Sequence, residues 1–138
     1  MLIERDRAVK AGTMYGLDLF GEAIDKARRN AKRASALINY INRDFFTFKH
    51  SYLFDEVITD MPHTAGDGSK RALRQFYHDF FGTVGALLKE EAALILYTSE
   101  PNYVVESVRS CPNYQIEKSF LLNEKNGTTV FVISWNRN

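Results

Sequence analysis

Three acidic side chains carry most of the chemical promise of this 138-residue chain. Asp18 follows Tyr15-Gly16-Leu17, Asp44 follows Asn42-Arg43 and precedes Phe45, and Asp60 ends Phe54-Asp55-Glu56-Val57-Ile58-Thr59 and opens Asp60-Met61-Pro62-His63. Each stands where an apolar, strand-like run stops. A carboxylate only accepts hydrogen bonds and has lone pairs for two donors. At a strand end that precedes a helix, such a group can receive both hydroxyls of a ribose, the role open to Asp18. Asp44 can receive an adenine amino group while Phe45 or another apolar group lies against the base. Asp60 can accept hydrogen bonds from a substrate amino group, with Pro62 stiffening the loop and leaving backbone carbonyls to join in. Each acid alone could equally be a helix N-cap or a solvated loop charge. Three of them in register on one sheet edge favour a binding site.

The strands and helices that hold these acids follow from hydrophobic period. Met1 to Val9 has the pattern of a helix end, with Lys10-Ala11-Gly12 as a stop in which Gly12 is free to take positive φ. Met14 to Leu19 reads as a short strand. Gly21 to Ser35 reads as a helix, with Ala23, Ile24, Ala27, Ala31 and Ala34 on one face. Leu37 to Ile41 and Phe54 to Thr59 read as further strands, and the segment from Asp44 to Asp55 has room for one helical turn or none. A loop containing Gly66 and Gly68 follows Asp60-Met61-Pro62-His63. Lys70 to Leu88 reads as a long helix with a broad apolar stripe, and Ala92 to Tyr97 as a strand covered on both faces. Asn102 to Arg109 reads as a short helix. Tyr114 to Leu122 and Thr128 to Trp135 form a hairpin joined by Asn123-Glu124-Lys125-Asn126-Gly127. Strands alternating with helices predict an α/β fold, a mainly parallel sheet with helices on both faces, closed on one side by the hairpin. In such a fold, ligands bind at the carboxyl ends of the strands.

Composition narrows the classes without choosing among them. The length suits one domain or part of one, and a net charge of +1 names no partner, so any nucleic-acid surface must be a local patch. The single cysteine, Cys111, excludes an intrachain disulfide and a cysteine-based zinc site, and fits a reducing, cytoplasmic setting. No apolar run is long enough for a membrane helix, and the charged N-terminus has no signal-peptide core. Lys70, Arg71 and Arg74 form a basic patch just after the Asp60 loop, which divides evenly between a solvated helix turn and a set of phosphate contacts. His63 is at most a substrate contact. The aromatics from Phe76 to Phe81 are expected in the core.

At these residues the chain resembles the class I S-adenosylmethionine-dependent methyltransferases. It is most similar to the RNA methylases that often carry a THUMP RNA-binding domain and make N2-methylguanosine. The likeness rests on Tyr15-Gly16-Leu17-Asp18-Leu19, on Ala23-Ile24 and Ala27-Arg28-Arg29-Asn30-Ala31, on Arg43-Asp44-Phe45 and on Val57-Ile58-Thr59-Asp60-Met61-Pro62. It continues through Phe76-Tyr77 and Leu94-Ile95-Leu96-Tyr97 to the hairpin. The resemblance implies a Rossmann-like methyltransferase sheet, S-adenosylmethionine as cofactor and RNA (tRNA or rRNA) as partner. It implies that Asp18 and Leu19 bind the cofactor ribose, that Asp44 and Phe45 hold its adenine, and that Asp60, Met61, Pro62 and His63 grip the amine to be methylated, with Asp60 also against the cofactor. His63, Lys70, Arg71 and Arg74 would meet substrate RNA. Catalysis of this kind is mainly positioning, and it requires neither a metal nor a covalent intermediate.

The sequence departs from the family pattern in three places. His63 stands where an aromatic usually stacks on the target base, and Phe20-Gly21 replaces a common Asp-Pro. Leu2-Ile3-Glu4-Arg5 looks like the helix that follows the family's first strand and Gly-rich loop. The chain is therefore expected to be an N-terminally truncated catalytic domain that binds cofactor poorly on its own. The missing strand is central in the family, between Met14–Leu19 and Phe54–Thr59. Three outcomes are expected for its gap: the flanking strands close it, a second copy fills it, or an upstream segment of a longer polypeptide does. Other readings of the same loop are an adenine-N6 or glutamine-N5 methyltransferase, or an inactive methyltransferase-like module for protein association.

Overall fold

The computed structural model describes residues 1–63 and 69–137; Gly66 and Gly68, expected in the loop after His63, lie outside the described residues. The chain forms two compact units, residues 1–49 and 50–138.

The first unit holds α1 (Leu2–Ala8), β1 (Tyr15–Asp18), α2 (Gly21–Arg33), β2 (Asn39–Asn42) and a 3-10 turn over Phe45–Thr47. β1 and β2 pair in parallel, Tyr15 opposite Asn39 and Asp18 opposite Asn42. The helix between them is the crossover that parallel pairing demands. α2 buries Ile24 and Ala31, members of the face read from the sequence. It ends in a Schellman-type cap, with the Ala36 amide on the Ala31 carbonyl and the Ser35 amide on that of Lys32. Ser35 takes φ 53 there without being glycine. α1 stops at Ala8, and Val9 is extended at its cap. Gly127 is the one described glycine with positive φ, so Gly12 is not the left-handed stop expected of it. Gly16 has a different task. A Cβ on it would lie 2.4 Å from the Tyr40 ring, which crosses the strand at this point.

The second unit holds β3 (Phe54–Asp60), α3 (Lys70–Val84), β4 (Leu88–Thr98), α4 (Pro101–Ser110), β5 (Tyr114–Asn123) and β6 (Thr128–Trp135). Its sheet has the order β3-β4-β6-β5. β3 and β4 are parallel, while β6 runs antiparallel to both β4 and β5. α3 packs Tyr77, Phe80, Phe81 and Val84 inward at helical spacing. They meet a core that includes Leu94 and Leu96 of β4, Val104 of α4 and Ile133 of β6, all fully buried.

Two boundaries differ from the sequence reading by four residues each. α3 ends at Val84 rather than Leu88, and a 3-10 turn over Gly85–Leu87 follows. Leu88 is already paired with Phe54 of β3. The apolar stripe continues past the helix because the same core receives the strand, and hydrophobicity alone cannot mark the switch. β4 accordingly begins before Ala92. Its ladder with β3 steps from Phe54–Leu88 to Glu56–Ala93, and the extra residues include Glu91 at φ 61. The hairpin forms as expected, but Asn126-Gly127 is not a two-residue turn. Only Gly127 takes positive φ, at 70, and the Asn126 side chain accepts from the Thr128 amide.

β1 shares a ladder with β2 alone and β3 with β4 alone among the described residues. Val57, Ile58 and Thr59 of β3 are half-buried.

Candidate active site

In the second unit, β3 delivers Asp60 as its last residue, opposite Tyr97 of β4. The Asp60 side chain is exposed. Among the described residues no donor reaches its carboxylate. The backbone behind it is firmly held. The Met61 amide donates to the Tyr97 carbonyl at 2.8 Å, and the Met61 side chain is 3% exposed. The Pro62 carbonyl accepts the hydroxyl of Tyr77 at 3.0 Å. That carbonyl, expected to be free for substrate, already has a protein partner. Pro62 and His63 are themselves exposed.

Tyr77 reaches the loop from α3 and is fully buried. Its oxygen lies 2.6 Å from Thr98 Oγ1, and Thr98 in turn accepts the Glu100 amide at 2.8 Å. Burial, aided by the negative charges of Glu100 and Asp60, pushes the Tyr77 hydroxyl up to about 12, despite the opposing Thr98 hydrogen bond. It is therefore a neutral donor throughout the physiological range. Tyr103 stands edge-on to the Tyr77 ring, 5.6 Å between centroids. Sequence reasoning placed Tyr77 among core aromatics and gave Thr98 no role. A signal was present: a hydroxyl on the buried stripe of α3 and another at the end of an apolar strand each need a partner.

The basic patch divides. Lys70 and Arg71 are exposed in the first turn of α3, whose N-cap Ser69 accepts the Ala72 amide at 3.2 Å. Arg74 is committed elsewhere, its Nε 2.8 Å from Glu106 of α4. An exposed pair of this kind is worth about 0.2–1 kcal/mol. It nevertheless neutralises the guanidinium, which leaves Lys70 and Arg71 as the stronger phosphate candidates.

In the first unit, Asp18 and Asp44 stand at the same end of adjacent parallel strands. One oxygen of each is used locally. Asp18 Oδ1 accepts the Phe20 amide at 2.8 Å, and Asp44 Oδ1 accepts the Phe46 amide at 2.9 Å as cap of the 3-10 turn. The capping alternative is thus realised at Asp44, whereas Asp18 closes a local turn onto Phe20 and caps no helix; among the described residues no donor reaches the second oxygen of either carboxylate. Leu19 is exposed, and its carbonyl accepts Asn42 Nδ2 at 3.3 Å. Phe45 is half-buried and stands edge-on to Phe46, 5.3 Å away. No cluster of metal-ligating side chains occurs among the described residues.

A sequence profile described as RMKL-like, methyltransferase domain matches residues 2–128. The chain belongs to this family. Among curated proteins, the tRNA (guanine(6)-N2)-methyltransferase of Methanocaldococcus jannaschii is 26% identical over 110 residues, which are 78% of this chain and 29% of that protein. The chain therefore spans under a third of that relative's length. Among solved structures, TrmN from Thermus thermophilus superposes with a TM-score of 0.80 over 99% of this chain and 40% of its own, at 18% identity. SMU.776, solved in complex with SAH, superposes with a TM-score of 0.74 over 92% of this chain and 40% of its own, at 15% identity. The fold is thus the Rossmann-like fold of class I S-adenosylmethionine-dependent methyltransferases.

Proposed function

We propose that this protein is the catalytic part of an RNA methyltransferase that transfers a methyl group from S-adenosylmethionine to an exocyclic amine, that of guanine N2. The observation that carries this reading is the Asp60 loop: a carboxylate on a strand tip that accepts from no donor among the described residues, backed by backbone anchored on both sides. Family membership supplies the reaction class, and the guanine-N2 activity of the Methanocaldococcus relative points to the amine.

The residues fit the cofactor in chemical type. Among the described residues each of Asp18 and Asp44 has one carboxylate oxygen without a donor, suited to ribose hydroxyls and to an adenine amino group, with Leu19 and Phe45 as apolar neighbours. When bound, S-adenosylmethionine supplies an electrophilic methyl on a sulfonium. Asp60 accepts the hydrogens of the target amine, aims its lone pair and stabilises the positive charge that develops on nitrogen. His63 stacks on or contacts the target base, and Lys70 and Arg71 meet phosphate, with Arg74 in a lesser part. The setting is cytoplasmic, where such RNA substrates occur.

The test uses the complete gene product that contains these 138 residues. It is incubated with methyl-tritiated S-adenosylmethionine and tRNA or rRNA, and the labelled nucleoside is identified by mass spectrometry. N2-methylguanosine is expected, and Asp60→Ala should lower the rate on the order of a hundredfold. N6-methyladenosine or methylated glutamine would assign a different amine. Full activity in Asp60→Ala would remove Asp60 from the mechanism.

A further inference from the structure

The hydrogen bonds behind the Asp60 loop have only one consistent direction. The Pro62 carbonyl can only accept, so the single hydrogen of the Tyr77 hydroxyl points to it at 3.0 Å. In the contact between Tyr77 and Thr98 either oxygen could donate, but the Tyr77 hydrogen is already used, so Thr98 donates. Thr98 Oγ1 then has a lone pair for the Glu100 amide, 2.8 Å away. The chain runs from the start of α4, through the end of β4, to the loop, and every donor in it is used once.

This chain determines the loop's backbone. The peptide plane between Asp60 and Met61 is fixed by the Met61 amide on the Tyr97 carbonyl. The plane after Pro62 is fixed by Tyr77, and the Pro62 ring restricts φ between them. Asp60 and His63 are exposed, while the atoms that hold their backbone are buried. Tyr77 and Thr98 are 0% and 1% exposed, so neither can touch a substrate.

We propose that Tyr77 is a positioning residue for the Asp60–His63 loop, and that Thr98 orients its hydroxyl. The inference rests on the reading of this loop as the amine-gripping site. A tyrosine that merely satisfied itself in the core would affect global stability alone. A positioning tyrosine affects local order at the loop and turnover.

Tyr77→Phe separates the two, because it keeps the ring and its contact with Tyr103 and removes only the oxygen. In native-state hydrogen exchange of the full protein, the Met61 amide should exchange about tenfold faster in Tyr77→Phe, while core amides of α3 away from the loop stay near wild type. In the methylation assay kcat should fall about tenfold or more, with KM for RNA and for S-adenosylmethionine within about twofold of wild type. Thr98→Ser keeps the hydroxyl and should match wild type in both readouts. Thr98→Val should follow Tyr77→Phe, and the double variant should be little worse than either single one, because both act in one chain. Unchanged Met61 exchange in Tyr77→Phe, or unchanged kcat in an active enzyme, would overturn the inference. If wild type methylates no guanine, the proposed function fails by itself, and the exchange measurement still decides whether Tyr77 holds the loop.

Discussion

Gly82 and Gly85 lie three residues apart at the end of α3, and alanine at the two positions should act in opposite directions. Gly82 is an exposed helical residue, and a Cβ built on it meets no atom within 4 Å. Replacing it removes only the entropy penalty of glycine, a gain of about 0.5–1 kcal/mol. Gly85 caps the helix with φ −57 and ψ −30, a conformation that alanine adopts equally well, so the same intrinsic gain is on offer. Space decides against it. A Cβ at Gly85 would lie 2.6 Å from Trp135 Nε1 and 2.9 Å from the Tyr114 hydroxyl. Neither ring can give way cheaply. Both residues are buried, and the Tyr114 hydroxyl donates to the Phe81 carbonyl at 2.7 Å. Overpacking a tight core costs about 1–3 kcal/mol, and a strained hydrogen bond adds about 1 kcal/mol. The net for Gly85→Ala is a loss of roughly 1–3 kcal/mol after subtracting the glycine gain. Trp135 is the only tryptophan in the chain and sits at the contact, so its fluorescence in a urea titration reports the unfolding directly. The midpoint should rise for Gly82→Ala and fall for Gly85→Ala, with unchanged slopes. A Gly85→Ala protein as stable as Gly82→Ala would refute the packing argument.

Ser35 pays for a left-handed conformation at the end of α2 that glycine adopts freely, so Ser35→Gly should stabilise the first unit by about 1 kcal/mol, measured by thermal circular dichroism. Burial pushes both the Tyr77 and Tyr114 hydroxyls up to about 12, above the ordinary value of 10.0. A raised pKa in the folded state stabilises fully below pH 10 and loses that stabilisation as pH climbs toward 12. Each tyrosine should therefore cost up to about 1.4 kcal/mol per pH unit across this window. Urea midpoints followed by circular dichroism at a series of pH values measure the slope, and Tyr77→Phe should make it shallower.

The hydrophobic period located almost every element, because a half-buried strand or amphipathic helix must repeat its apolar residues at the spacing of its own geometry. Boundaries failed where one core continued across a change of element. Val84, Leu87 and Leu88 are buried in succession, although the first ends a helix and the last begins a strand. Gly85 lies between them with helical φ and ψ, and its missing Cβ leaves room for Trp135 and Tyr114. The site shows the same division. Strand-tip acids could be read as acids at strand tips, but sequence could not divide their oxygens between capping and ligand. Asp18 and Asp44 each give one oxygen to a backbone amide, and Asp60 gives none to any described residue.

The alternation of strands and helices, the hairpin, the family resemblance and the chemistry available at Asp18, Asp44 and Asp60 were all legible before folding. These depend on residue type and local spacing, which a chain carries before it folds. Folding alone ties Arg74 to Glu106, engages the Pro62 carbonyl, and sets Tyr77 and Thr98 behind the Asp60 loop. Those facts are contacts between residues 15 to 32 positions apart, and a hydrogen bond across such a distance exists only once packing has brought its two ends together.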